Sequence, residues 1–123
     1  MSEAGISFRA VVLDSPDPRR LADFYRQLLG WEIRDDGDTW VTLHPPNGGS
    51  HLSFQREPKY QPPAWPSESD RQQMMTHLDL HTDDLAKAEA RATELGAKVM
   101  PWQPQDDVRV LADPDGHIFC LFT

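Results

Sequence analysis

Apolar and polar positions alternate along this chain in two rhythms, one with the period of a strand and one with that of a helix. Phe8 to Leu13 is an apolar, β-branched run closed by Asp14-Ser15-Pro16, which predicts a strand ending in a turn. Leu21, Phe24, Tyr25 and Leu28 then fall at helical spacing and form one apolar face. Asp17 is placed to cap that helix, Pro18 to occupy its first position, and Gly30 to supply the left-handed stop. Three short strands are expected next, over Trp31–Arg34, Thr39–His44 and Ser50–Gln55, separated by Asp36-Gly37-Asp38 and by Pro45-Pro46-Asn47-Gly48-Gly49.

The pattern then starts again. Met75 to His81 reads as a strand, and Leu85, Ala88, Ala92 and Leu95 line one face of a second helix, capped by Asp83 or Asp84 and ended by Gly96. Ala97–Met100, Val108–Ala112 and Ile118–Phe122 complete a second set of three strands. Laid over each other, the two passes match Leu13 with Leu80, Asp17 with Asp84, Gly30 with Gly96 and Ile33 with Val99. The chain is thus a strand-helix-strand-strand-strand module written twice, and each copy is a control for the other. Module one spans residues 6–56 and module two residues 74–123. Between them, residues 57–73 carry clustered prolines that forbid a central strand and favour an extended connector.

Composition narrows the partners. At 123 residues the chain amounts to one domain, large enough for a core. A formal charge of −8 opposes binding to nucleic acid or to an anionic membrane. The opening MSEAGISF has no leader pattern, no apolar run approaches membrane-spanning length, and the lone Cys120 has no internal disulfide partner. A cytoplasmic protein is the expectation.

The strand followed by DPRRLADFYRQLLGW, the segment HLDLHTDDL with its later Leu95-Gly96, and LADPDGH near the end together resemble the vicinal oxygen chelate superfamily. That group includes glyoxalases, bleomycin-resistance proteins and extradiol dioxygenases, and the similarity is greatest to its small glyoxalase-like branch. The resemblance covers nearly the whole chain. It implies an α+β fold in which two βαβββ modules build an eight-stranded, cup-shaped mixed sheet with the helices outside. It also implies a ligand in the cup, a divalent metal there in the enzymes, and pairing of subunits as a homodimer.

Family metal ligands would sit on the first and fourth strands of each module. Module two offers His77 on its first strand, whose counterpart in module one is Ala10; the family glutamate position falls on Cys120, opposite Ser53. Open catalytic metal sites generally use three protein ligands, and only His77 here matches a family ligand. No metal and no other cofactor is therefore expected. Alternation puts His51, Ser53 and Gln55 on one face of their strand, so Ser53 or Gln55 points inward without a register slip.

On the strand ending at His81, Leu78 and Leu80 make an apolar face while His77, Asp79 and His81 make a polar one. A carboxylate between two imidazoles has the parts of a proton-transfer site near neutral pH, with His77 and Asp79 as the candidate catalytic pair. The alternative is a solvated strand end. Trp40 is placed to stack on a planar ligand, and Trp65, among Pro62, Pro63 and Pro66, is either a stiff lid over the cup or a packing residue. Arg109 can join such a site from its strand. Asp113-Pro114-Asp115-Gly116 reads as a turn, with His117 either holding it or reaching the pocket rim, and Asp35-Asp36-Gly37-Asp38 as a hairpin rather than a calcium loop.

Two functions follow. The first is a pocket protein that holds an aromatic or amphipathic metabolite or antibiotic, with Trp40, Ser53, Gln55, Trp65, His77, His81, Arg109 and Cys120 as candidate contacts. The second is an enzyme: a metal-dependent lyase or dioxygenase with unorthodox ligands, or a metal-free acid/base isomerase built on His77.

Overall fold

The computed structural model describes residues 2–123. Its elements are β1 (Ala10–Ser15), α1 (Pro18–Leu29), β2 (Glu32–Asp36), β3 (Trp40–His44) and β4 (His51–Arg56), then β5 (Leu78–His81), α2 (Leu85–Glu94), β6 (Lys98–Val99), β7 (Val108–Ala112) and β8 (Ile118–Phe122). This is an α+β chain of two βαβββ modules. Each contributes a four-stranded mixed sheet, in the orders β1-β4-β3-β2 and β5-β8-β7-β6. In both, the first strand runs parallel to the fourth and the meander is antiparallel.

In the first module Asp17 caps α1 by accepting from the Arg20 N–H at 3.3 Å, Pro18 occupies the first turn, and Gly30 stops the helix at φ 72°. Leu21, Ala22, Phe24 and Tyr25 are buried by this helix, and the Tyr25 ring stacks on Phe54 of β4 with centroids 5.8 Å apart. Each such large side chain removed from water contributes about 1.5–3 kcal/mol. The Asp36-Gly37-Asp38 hairpin is held from outside by Arg19, at 3.0 Å from Asp36 and 2.8 Å from Asp38.

The second helix repeats the design more lightly. Asp84, rather than Asp83, is the cap, accepting from the Lys87 N–H at 3.1 Å, and Ala92 is its one fully buried residue. The Asp113 turn forms as expected: its buried carboxylate accepts from the backbone N–H groups of Asp115 and His117 and pairs with the His117 ring at 2.9 Å. His117 therefore holds the turn.

Two strands begin later than their apolar runs suggest. β1 starts at Ala10 instead of Phe8 and continues through Asp14 and Ser15, because those residues find ladder partners in Gln55 and Arg56. Phe8 is left 70% exposed. Likewise Met75, Thr76 and His77 precede β5, whose pairing with β8 starts only at Leu78 opposite Phe119.

Contacts divide the chain between Tyr60 and Gln61, so most of the proline-rich connector folds with the second module. There Ala64 is buried and donates its N–H to the Gln72 carbonyl at 2.9 Å. Trp65, Met74 and Met100 pack with Cys120 against Val110, Ala112 and Ile118 of the second sheet. The Trp65 and Trp102 rings lie 5.4 Å apart, and the Trp65 indole N–H points to the Trp102 carbonyl at 3.4 Å.

Candidate functional site

The second sheet has two unlike faces. Toward α2 it presents Arg109, which forms an ion pair with Glu89 of that helix at 3.4 Å. The other face carries Val110 and Ala112 on β7 and Ile118 and Cys120 on β8, and the connector seals its apolar part. Beyond that seal lies a pocket of about 270 Å³, whose lining includes His77, Asp79, Asp107, Val108, Cys120 and Phe122.

Strand register explains why these side chains converge. Asp79 is the direct ladder partner of Cys120, and Val108 of Phe122, which places both pairs side by side at one end of the sheet. His77, just before β5, reaches back so that its Nε2 stands 3.1 Å from Asp79 Oδ1. One donor atom from each of His77, Asp79 and Cys120 lies within 4.8 Å of the other two. His77 and Asp79 are exposed, with side-chain accessibilities of 40% and 62%, whereas Cys120 is half-buried. Burial pushes the Cys120 thiol pKa up, and the negative charge of Asp79 pushes it further.

The first module offers a different surface at the corresponding place. Val12 pairs with Ser53 there as Asp79 pairs with Cys120, in a register that sets Leu13 opposite Phe54 and Leu80 opposite Leu121. The ladder thus gives the same equivalence of Ser53 with Cys120 that alignment of the sequence gives. Neither Val12 nor Ala10 carries a side-chain donor atom. Ser53 is 1% exposed, and its Oγ has no hydrogen-bond partner among the described residues. Trp40, 38% exposed, is the ladder partner of Gln55, whose amide donates to Asp14 at 2.7 Å. At the other end of that hairpin the His44 and His51 rings stack at 4.1 Å. Burial lowers the His51 pKa, and the charges of His44 and Arg9 lower it further against an opposing pull from Asp35.

The candidate residues therefore sort by module. His77, Asp79 and Cys120 come together in the second, while Trp40, Ser53 and Gln55 share a face in the first. Arg109 is a correction: it lies on the opposite face of its sheet from Cys120, since alternation turns it with Leu111 toward α2. His81 stays exposed at the far end of β5, its ring edge-on to Phe122 at 5.5 Å. Trp65 packs on its own module's sheet.

Sequence reasoning overlooked Val108, Phe122 and Asp107. The pair Val108 and Phe122 could have been found by counting outward from the Asp113 turn, because β7 and β8 are joined by a short hairpin.

Comparison with known proteins agrees with the fold. The chain is similar to a possible glyoxalase from Bacillus cereus, at 15% identity over 97% of this chain and 100% of that one, with a TM-score of 0.70. It is similar to a bleomycin resistance determinant encoded on the transposon Tn5, at 22% identity over 96% and 98%, with a TM-score of 0.61. It is also similar to TnmS3, an antibiotic binding protein from Streptomyces sp. CB03234, at 21% identity over 96% of each chain and a TM-score of 0.57. No curated protein matches the sequence. The profile of the glyoxalase-like domain matches residues 10–122, from the start of β1 to the end of β8. With both modules and their connector inside that match, the chain belongs to the glyoxalase-like domain family of the vicinal oxygen chelate superfamily.

Proposed function

We propose that this protein binds a small aromatic or amphipathic molecule, a metabolite or an antibiotic, without the full two-module metal site of a family enzyme. The observation that carries the reading is the second module's pocket, where polar His77, Asp79 and Cys120 face apolar Val108 and Phe122. A mixed lining of this kind suits a ligand with a flat apolar body and a few polar groups. Ala10 and Ser53, at the positions of His77 and Cys120, support a binding role over the usual metal chemistry. The bleomycin resistance determinant and the antibiotic binding protein among its structural relatives support the ligand class. A cytoplasmic homodimer is the working form in this reading.

The test is a calorimetric screen of aromatic metabolites and antibiotics, bleomycin included, with each compound recovered and weighed by mass spectrometry. The expected result is saturable binding, weakened roughly ten- to a hundredfold by Phe122→Ala, which removes roughly 1.5–3 kcal/mol of apolar contact, with the compound unchanged. Binding that ignores Phe122→Ala overturns the assignment of the pocket.

A second reading is favoured by the 3.1 Å contact between His77 and Asp79. It makes the pair the acid/base of an isomerase or epimerase-like reaction, with His77 taking and returning the proton while Asp79 orients its ring. A chemically altered compound in the same screen, lost in His77→Gln, establishes this reading in place of the first.

A further inference from the structure

We infer that Gln103 and Arg109 are positioning residues that fix one wall of the second module's pocket from behind, and with it the size of molecule the pocket admits. Gln105, Asp107 and Val108 make that wall. What the wall selects rests on the binding reading above; how it is held does not.

Strand pairing stops short of the wall, so side chains must hold it. β6 is two residues long, with Lys98 opposite Ala112 and Val99 opposite Leu111. The chain then passes through Pro101 and Pro104, whose rings restrict the backbone and donate no N–H. One further backbone bond forms, from the Met100 N–H to the Val110 carbonyl at 3.0 Å. The Gln103 carboxamide takes the place of the next peptide. Its Oε1 accepts the Val110 N–H at 2.8 Å, and its Nε2 donates to the carbonyls of Met100 at 2.8 Å and Val110 at 2.9 Å. A side-chain amide carries the same kinds of donor and acceptor as the backbone, so it can stand in for a strand edge.

Arg109 ties down the far end of the segment. Its Nη1 donates to the carbonyls of Asp106 at 3.2 Å and Val108 at 3.0 Å and reaches that of Gln105 at 3.5 Å, while its Nε pairs with Glu89 of α2 at 3.4 Å. These carbonyls flank Asp107 on both sides. A side chain on the α2 face of the sheet thus holds the backbone of residues that line the pocket, and it acts on a ligand only through them. The guanidinium fork is what makes this possible: a lysine ammonium would keep a charge for Glu89 but lose the array of donors.

Cys120 lines the same pocket and serves as the probe. The full chain is treated with N-methylmaleimide and with N-(1-pyrenyl)maleimide, which carry one reactive group on bodies of very different size. Rates at Cys120 are read by mass spectrometry, beside urea unfolding. In the unaltered chain the pyrenyl reagent should lag well behind the methyl one, compared with the same two reagents on a short cysteine peptide. Gln103→Met removes three hydrogen bonds with little change in volume, and Arg109→Lys removes the fork. Each should raise the pyrenyl rate about tenfold and the methyl rate by less than about twofold, with faster hydrogen exchange over residues 103–110. If Gln103→Met fails to fold, Arg109→Lys and the unaltered chain decide. No lag in the unaltered chain, unchanged rates in the folded variants, or equal gains for both reagents that track lost urea stability would overturn the assignment. Neither reagent depends on a ligand of the pocket, so the wall and the binding reading can fail separately.

Discussion

Asp79 and Cys120 stand directly opposite each other across the parallel ladder of β5 and β8, at the level where the first module pairs Val12 with Ser53. One register thus sets a carboxylate beside a thiol in one copy, and a valine beside a serine in the other. The contrast controls how the cysteine behaves.

With its proton held by burial and by the Asp79 charge, Cys120 should alkylate more slowly at pH 8 than a free thiol. Asp79→Asn removes the second cause and should raise the rate several-fold, read with iodoacetamide and mass spectrometry across a pH series. The same shift has a sign for stability: a thiol pKa raised by folding contributes stability that is present below the unfolded value and lost as pH rises through the folded one. Chemical denaturation should therefore show a decline on the alkaline side that is absent in Cys120→Ala.

His51 works in the opposite direction. Its pKa is lowered from the ordinary 6.5, mainly by burial and then by His44 and Arg9, so the unfolded chain takes up the proton first as pH falls. Stability is then present above the unfolded value and lost as pH drops through the folded one. His44→Gln should move the His51 titration upward in an NMR experiment and flatten this acid-side loss. An unmoved titration would mean that the stacked ring exerts no field on its neighbour.

Phe54 is fully buried and stacked by Tyr25, so Phe54→Ala should destabilise the protein by about 3–5 kcal/mol in urea unfolding. Arg26→Ala, which removes an exposed pair with Asp23, should change it by less than about 0.5 kcal/mol. Similar losses for the two would place the core elsewhere.

Gly116 adopts φ +98°, and a Cβ there would lie 2.6 Å from the Pro62 Cβ, in the connector. Gly116→Ala should therefore cost about 1–3 kcal/mol, from backbone strain and from the clash together. Adding Pro62→Gly, which removes the clashing Cβ, should recover part of that cost. A double-mutant cycle with no coupling energy would show that the connector does not rest on this turn in solution.

Much of this was legible in the residues. Helix α1 could be read because every local signal agreed, from the Asp17 cap to the Gly30 stop, and β7 and β8 because a turn with obvious chemistry fixed their ends. The bounds of β1 and β5 differ from those of their apolar runs, since such runs predict where a strand could form, whereas parallel pairing with a strand some 40 residues away decides where it does. The convergence of Asp79 on Cys120 was hidden for the same reason: a parallel register cannot be counted from a hairpin. The orientation of Arg109 needed only strict alternation from Val110. Trp65 was legible as a packing or lid residue but not as to which sheet it covers, because a proline-rich connector carries no pairing pattern.

The connector also bears on stoichiometry. Two copies of one backbone would ordinarily suggest two equivalent binding positions, yet Trp65 and Met74 pack on the second sheet, and the matching strand pair of the first carries Val12 and Ser53. The duplication repeats the scaffold without repeating the chemistry, so a molecule drawn to the His77 end of the second sheet should saturate at one per chain.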